Sequence, residues 1–184
     1  ISLGLVGSEM CIRDRHIPRS LRLRDPINLH QMMEIDEKYP NARVIIAHIG
    51  RAYVPGDIGD AFEILKHSRH LYFDFSANCS EDAMLALFSN IGTERIMFGS
   101  DMPFTGMRMY RIDDGGHYVN MVPRGLYPGA DSDPHMRETD KPDITTFMYE
   151  ELLAFRRASE KMGFSRDDIE RIMYKNASDL FGIE

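Results

Sequence analysis

Two side chains of complementary chemistry stand at matching places in this sequence. His48 ends the run Ala42-Arg-Val-Ile-Ile-Ala-His48, and Asp101 ends Arg95-Ile-Met-Phe-Gly-Ser-Asp101, after which Pro103 stops regular structure. Both runs read as short buried strands. The first is β-branched and apolar on both faces, as a parallel strand covered by helices or lining a barrel must be. Each therefore delivers its last residue to the carboxyl edge of a parallel sheet, where ligands bind. A neutral imidazole and a carboxylate converging there suit a divalent metal or acid–base work. The competing reading makes His48 a hydrogen-bonded core histidine and Gly99-Ser100-Asp101 a turn or helix cap. Two such residues at corresponding strand ends favour the chemical reading.

Other candidates surround this pair. His16, just before Ile17-Pro18-Arg19, can end a preceding strand in the same way or sit exposed in a tail. Arg51 and Arg108 lie shortly after His48 and Asp101. They are placed to grip a substrate carboxylate bidentately, and structural ion pairs are the alternative. His67 and His70 fall at the polar end of a helix, His30 on a helix surface, and His117 and His135 in a long irregular segment. All five read as solvated groups.

The elements that must position these residues recur regularly. Asp25-Pro26 starts a helix over about 27–39, an N-cap followed by Pro at the first helical position. The pattern then predicts a helix over 57–69, a strand over 71–76 and a helix capped by Ser80 and closed by Gly92. Strands beginning near 43, 71 and 95 leave room for helical crossovers between parallel neighbours, which argues for α/β architecture. Residues 105–142 hold many Gly, Pro, Asp and Arg and no sustained period, so they read as a long lid or substrate loop. Asp143 is expected to cap a helix over 144–162. Ser165-Arg-Asp-Asp168 resembles a capping box opening a last helix, and 176–183 reads as a closing helical turn.

Composition excludes several classes. The net charge of −7, with no dense Lys/Arg cluster, argues against nucleic-acid binding. No apolar run approaches the ~20 residues needed to cross a bilayer. Cys11 and Cys79 have no metal-like or redox-like spacing and read as reduced thiols of a cytoplasmic protein. Gly-x-Ser-x-Gly, Walker A and Gly-x-Gly-x-x-Gly motifs are absent, so serine nucleophiles and nucleotides are poorly supported. The expected partner is a small molecule, and a homo-oligomer is compatible with the composition. Ile1 to Arg15 matches neither a signal peptide nor a strand. It resembles adapter-derived stretches found at the ends of unrelated translated sequences. It is therefore read as a non-native segment (1–15) joined to a domain over 16–184, with a genuine N-terminus as the alternative.

Val44-Ile-Ile-Ala-His48-Ile-Gly-Arg51, Arg95-Ile-Met-Phe-Gly-Ser-Asp101-Met-Pro103 and Asn176-Ala-Ser-Asp-Leu-Phe-Gly182 together resemble the second half of amidohydrolase-related (amidohydrolase 2) proteins. That branch includes aminocarboxymuconate-semialdehyde decarboxylase and aromatic-acid decarboxylases. The resemblance implies the C-terminal half of a (β/α)8 TIM barrel, strands 5/6 to 8, with a long loop after the last strand and C-terminal helices. It implies a divalent metal, most often zinc, with manganese as the alternative. His16 then matches the metal ligand ending strand 5. His48 matches the strand 6 histidine that polarises substrate or water. Asp101 matches the strand 8 carboxylate that contacts the metal and takes the proton from water. The implied activity is hydrolysis by a metal-activated water. The alternatives are non-oxidative decarboxylation of an aromatic or unsaturated acid, and a non-catalytic barrel fragment. The family's His-x-His after strand 1 has no counterpart here. The chain is thus expected to be an incomplete barrel, inactive alone, with exposed sheet edges.

Overall fold

The β-branched run at 44–46 forms a strand, one of four in a parallel sheet. The computed structural model describes residues 12–183. Strands β1 (Ile12–Arg15), β2 (Arg43–Ile46), β3 (Leu71–Asp74) and β4 (Ile96–Met97) lie side by side in chain order, every neighbouring pair parallel. Helices α1 (Pro26–Lys38), α2 (Ala61–Leu65) and α3 (Glu81–Ile91) make the successive crossovers. Val44, Ile45, Ile46, Leu71, Phe73 and Ile96 are all buried, which is the apolar-on-both-faces pattern read from the sequence.

Local chemistry sets the helix ends. Asp25 accepts from the Ile27 and Asn28 amides with Pro26 at the first position of α1. Ser80 accepts from Ala83 at the start of α3, and Gly92, at φ +79°, ends it. Ser165 and Asp168 form the reciprocal capping box of α5 (Arg166–Glu170), as read from the sequence. A π-helical turn at Arg171–Lys175 leads from α5 into α6 (Asn176–Phe181). There the buried Asn176 donates to the carbonyls of Thr93 and Ile96, both at 2.6 Å, and ties the C-terminus to the entry of β4.

Three expectations are corrected. The helix expected over 57–69 is a single 3-10 turn at Pro55–Asp57 followed by the short α2. Asp57 is buried instead, where it takes Arg22 at 2.7–2.8 Å and the Tyr53 and Val54 amides, and Gly59 at φ +53° breaks the helix. The helix expected from 144 begins at Phe147 and runs to Met162 as α4. Residues 145–147 pair first with 107–109, and Asp143 sits at φ +60° rather than capping. Residues 105–142 are not a loop. They carry a second sheet of β5 (Tyr110–Asp113), β6 (Tyr118–Pro123) and β7 (Met136–Thr139), with β5/β6 antiparallel and β6/β7 parallel. Strands of four or six residues put only two or three side chains on each face, too few to display a period. Of the segment expected to be non-native, Ile12–Arg15 pairs with β2 in register, and residues 1–11 lie outside the described residues. Backbone pairing asks little of side-chain identity, so even Ile-Arg-Asp-Arg serves as an outer strand.

The second sheet is clasped to the segment beyond β2 and to α4 by a cation on aromatic faces. The Arg111 guanidinium of β5 lies 4.1 Å from the Tyr53 ring centre, 4.9 Å from Tyr118 and 4.7 Å from Phe147. Helix α4 packs through Phe155, which stacks on Phe75 just beyond β3 with ring centres 5.1 Å apart. No helix among the described residues is long and apolar enough to cross a membrane.

Candidate active site

The backbone leaves β2 through a strained turn. His48, Ile49, Gly50 and Arg51 have φ of +57°, +52°, +59° and +62°. Non-glycine residues pay roughly 1–2 kcal/mol each for that conformation, so something must over-determine it. The anchors come from β3 and the residues just beyond it. Asp74 Oδ1 accepts the His48 amide at 2.9 Å. Asn78 Nδ2 donates to the carbonyls of His48 (3.2 Å) and Ala52 (2.9 Å). Ile49 is fully buried, and a Cβ on Gly50 would sit 2.5 Å from Leu23 Cδ1.

The same anchors set the His48 ring. Its Nδ1 lies 2.9 Å from both the carbonyl and the hydroxyl oxygen of Ser76. Ser76 Oγ donates to Asp74 Oδ1 at 2.5 Å, so both oxygens are left as acceptors toward the ring. The proton therefore belongs on Nδ1, and the Nε2 lone pair is presented outward. It meets His16 Nε2 at 3.0 Å, the rings being edge-on with centres 4.8 Å apart. Left to themselves, the pair shares one proton, donated by His16. His16 Nε2, freed of that proton, is a nitrogen donor of the kind that binds zinc, and His48 Nε2 stands beside it. The donor chemistry thus fits a cation.

Asp101 follows β4 at φ +46°, half-buried, and no hydrogen bond reaches its carboxylate from the described residues. The approach to it lies against β3: a Cβ on Gly99 would be 3.1 Å from Ser76 Cβ. Among the described residues no three His, Cys, Asp or Glu side chains are gathered closely enough to hold a metal by themselves. Of the residues expected to act together, His16 and His48 are joined directly. Arg51 donates to the carbonyl of Ile17, next to His16, at 3.1 Å. Arg108 is exposed and donates to the Ile144 carbonyl at 2.8 Å, where α4 is approached. His30, His67 and His117 are exposed, while His135 is half-buried and stacks on Tyr118 at 4.2 Å. Burial pushes the Cys79 thiol up, away from nucleophilic use.

Three important residues were not singled out by sequence reasoning. Asp74 and Ser76 had a signal: a carboxylate inside the aromatic run Leu-Tyr-Phe-Asp-Phe-Ser must find donors if buried. Glu151 had none, since on an amphipathic helix it looks like its neighbour Glu150. It is fully buried, accepts the Ala77 amide on Oε2 at 2.8 Å and leaves Oε1 without a partner. Burial, followed by the charges of Asp74 and Asp101, pushes its carboxyl up to about 8, against the pull of the Ala77 bond.

The family model described as amidohydrolase matches residues 22–183. The chain belongs to the amidohydrolase family. The chain shares its fold with an amidohydrolase from Burkholderia multivorans, solved with bound HEPES and with bound zinc. The TM-scores are 0.59 and 0.58, at 12% identity, over 94% of this chain and 53% of the other. Weaker likenesses include 2,6-dihydroxybenzoate decarboxylase from Rhizobium (TM-score 0.45, 14% identity, 85% of this chain and 40% of that one). Another is a putative 2-pyrone-4,6-dicarboxylic acid hydrolase from Pseudomonas putida (TM-score 0.46, 16% identity, 94% and 51%). The chain spans about half the length of these solved structures. No curated protein sequence matches it.

Proposed function

We propose that this chain carries part of the active site of a metal-dependent hydrolase, with β1–β4 as the last four strands of an eight-stranded barrel. The observation that carries the reading is the facing pair of imidazole nitrogens, 3.0 Å apart, with the His48 tautomer set by Ser76. His16, with Asp101, would hold a zinc or manganese ion; further ligands would come from outside the described residues. When bound, such a cation supplies Lewis acidity and lowers the pKa of its water to about 7. His48 keeps its proton on Nδ1, so Nε2 can orient or polarise what binds beside it. Asp101, whose carboxylate accepts no hydrogen bond from the described residues, is suited to take a proton from water. Arg51, tethered beside His16, favours a substrate bearing a carboxylate. That feature also supports a second reading, non-oxidative decarboxylation of a carboxylic acid at the same site. Arg108 would then contribute only by leaving the Ile144 carbonyl.

Titration of a full-length protein that contains this chain with Zn2+ or Co2+ tests the reading. We expect one equivalent to bind, and His16→Ala and Asp101→Asn each to weaken binding roughly tenfold or more. Binding unchanged in both variants, or no binding by the parent, would sink the proposal and leave a non-catalytic fragment. Release of carbon dioxide from a carboxylic acid by the active protein would select the decarboxylase reading.

A further inference from the structure

Ser76 and Ala77 share a peptide group, and its two ends are held by side chains from distant parts of the chain. On one end, the Ser76 carbonyl lies 2.9 Å from His48 Nδ1. On the other, the Ala77 N–H donates to Glu151 Oε2 at 2.8 Å, from a helix 74 positions further along. A trans peptide is planar with N–H and C=O pointing opposite ways, so fixing one end aims the other. We propose that Glu151 is a positioning residue for His48. By holding the Ala77 N–H it keeps the Ser76 carbonyl turned toward the imidazole, and so selects the tautomer with Nδ1 protonated.

The backbone supplies the reason a clamp is needed. Ala77 sits at φ +49°, a conformation that alanine resists. Rotating the 76–77 peptide by half a turn would bring that φ to about −130°, in the open β region. The same rotation would turn the N–H toward His48 and the carbonyl away. Nδ1 would then face a donor and keep only Ser76 Oγ as an acceptor; with that hydroxyl rotated to donate, the proton would move to Nε2 and the lone pair facing His16 would be lost. Local preference thus favours the flipped peptide, and tertiary contacts hold the other. Arg111 adds a second grip, donating to the Ala77 carbonyl at 2.9 Å while its own guanidinium is stacked against Tyr53, Tyr118 and Phe147. Helix α4 is itself locked one turn beyond Glu151 by the stack of Phe155 on Phe75. Acceptance of the N–H by a carboxyl group also polarises the peptide, which makes the Ser76 carbonyl a better acceptor.

The inference rests on reading His48 as a site residue, but its readout requires neither metal nor activity. The test is the imidazole 15N spectrum of His48 in chelator-treated, labelled protein at a pH where the ring is neutral. The parent and Glu151→Gln, whose amide oxygen still accepts the Ala77 N–H, should both show the Nδ1–H form. Glu151→Leu should shift the population to Nε2–H at least tenfold. A folded Glu151→Leu that keeps the Nδ1–H form overturns the proposal, whatever the metal titrations give. Should that variant fail to fold, hydrogen exchange of the Ala77 amide in the parent decides. Protection matching neighbouring core amides supports the clamp, and exchange at the rate of a free loop amide refutes it. Failure of zinc to bind, with the tautomer still dependent on Glu151, would reject the metal-site reading and retain the clamp.

Discussion

Replacing Asp74 by alanine should be among the most damaging single changes in this chain. Its Oδ1 accepts three hydrogen bonds: from the His48 amide, the Ser76 amide (3.0 Å) and the Ser76 hydroxyl. The hydroxyl can rotate to another acceptor, but the two amides cannot, and both residues are buried. A buried amide left without a partner costs about 1–3 kcal/mol, so the pair amounts to roughly 2–6 kcal/mol. Relaxation of the left-handed turn at 48–51 would return some of that strain, so we expect a net loss of about 2–4 kcal/mol. That is a large part of the 5–15 kcal/mol typical of a folded domain. Asp74→Asn keeps a carbonyl oxygen in place and should lose only about 1 kcal/mol. Urea unfolding, read as a lower midpoint at unchanged slope, measures both. An alanine variant within about 0.5 kcal/mol of the parent, or an asparagine variant as damaged as the alanine one, would refute the account of Asp74 as the acceptor that holds the turn.

Two further outcomes follow from the same neighbourhood. Gly50→Ala meets both a φ of +59° and a Leu23 side chain 2.5 Å from the new Cβ, so it should lower stability by about 2 kcal/mol or more; a variant as stable as the parent in urea would mean that the turn is free to re-form. Glu151 gives a pH signature: with its carboxyl raised from 4.5 to about 8, the native state keeps a proton that the unfolded chain has lost, so its contribution is intact below pH ~4.5 and is lost as pH rises toward ~8. In chelator, Glu151→Gln should therefore gain stability relative to the parent between pH 5 and 8, by at most about 1.4 kcal/mol per pH unit, and parallel pH profiles for the two proteins would refute the raised value.

Patterns repeated over many residues were legible. Buried β-branched and aromatic runs, the Asp25-Pro26 start, the Ser80 cap and the Ser165–Asp168 box are local in their causes, and each forms where the sequence places it. Elements too short to show a period were not legible, which is why 105–142 looked like a loop. Nor was competition for a residue. Asp57 and Asp143 both carry cap chemistry, but one is claimed by Arg22 from 35 positions away and the other lies beside an irregular pairing of 107–109 with 145–147.

For the site, residue type and place in the pattern brought His16, His48 and Asp101 forward as candidates, and in the structure they follow β1, β2 and β4, strands of one parallel sheet. Tertiary structure alone decided how the imidazole is held. The Nδ1 partner of His48 lies 28 positions away, and the side chain steering that partner lies a further 75 along. No local propensity encodes such a chain of contacts. At His48 and Ala77 the fold holds backbone conformations that the residues themselves disfavour, and only packed neighbours from other elements supply the energy to do so.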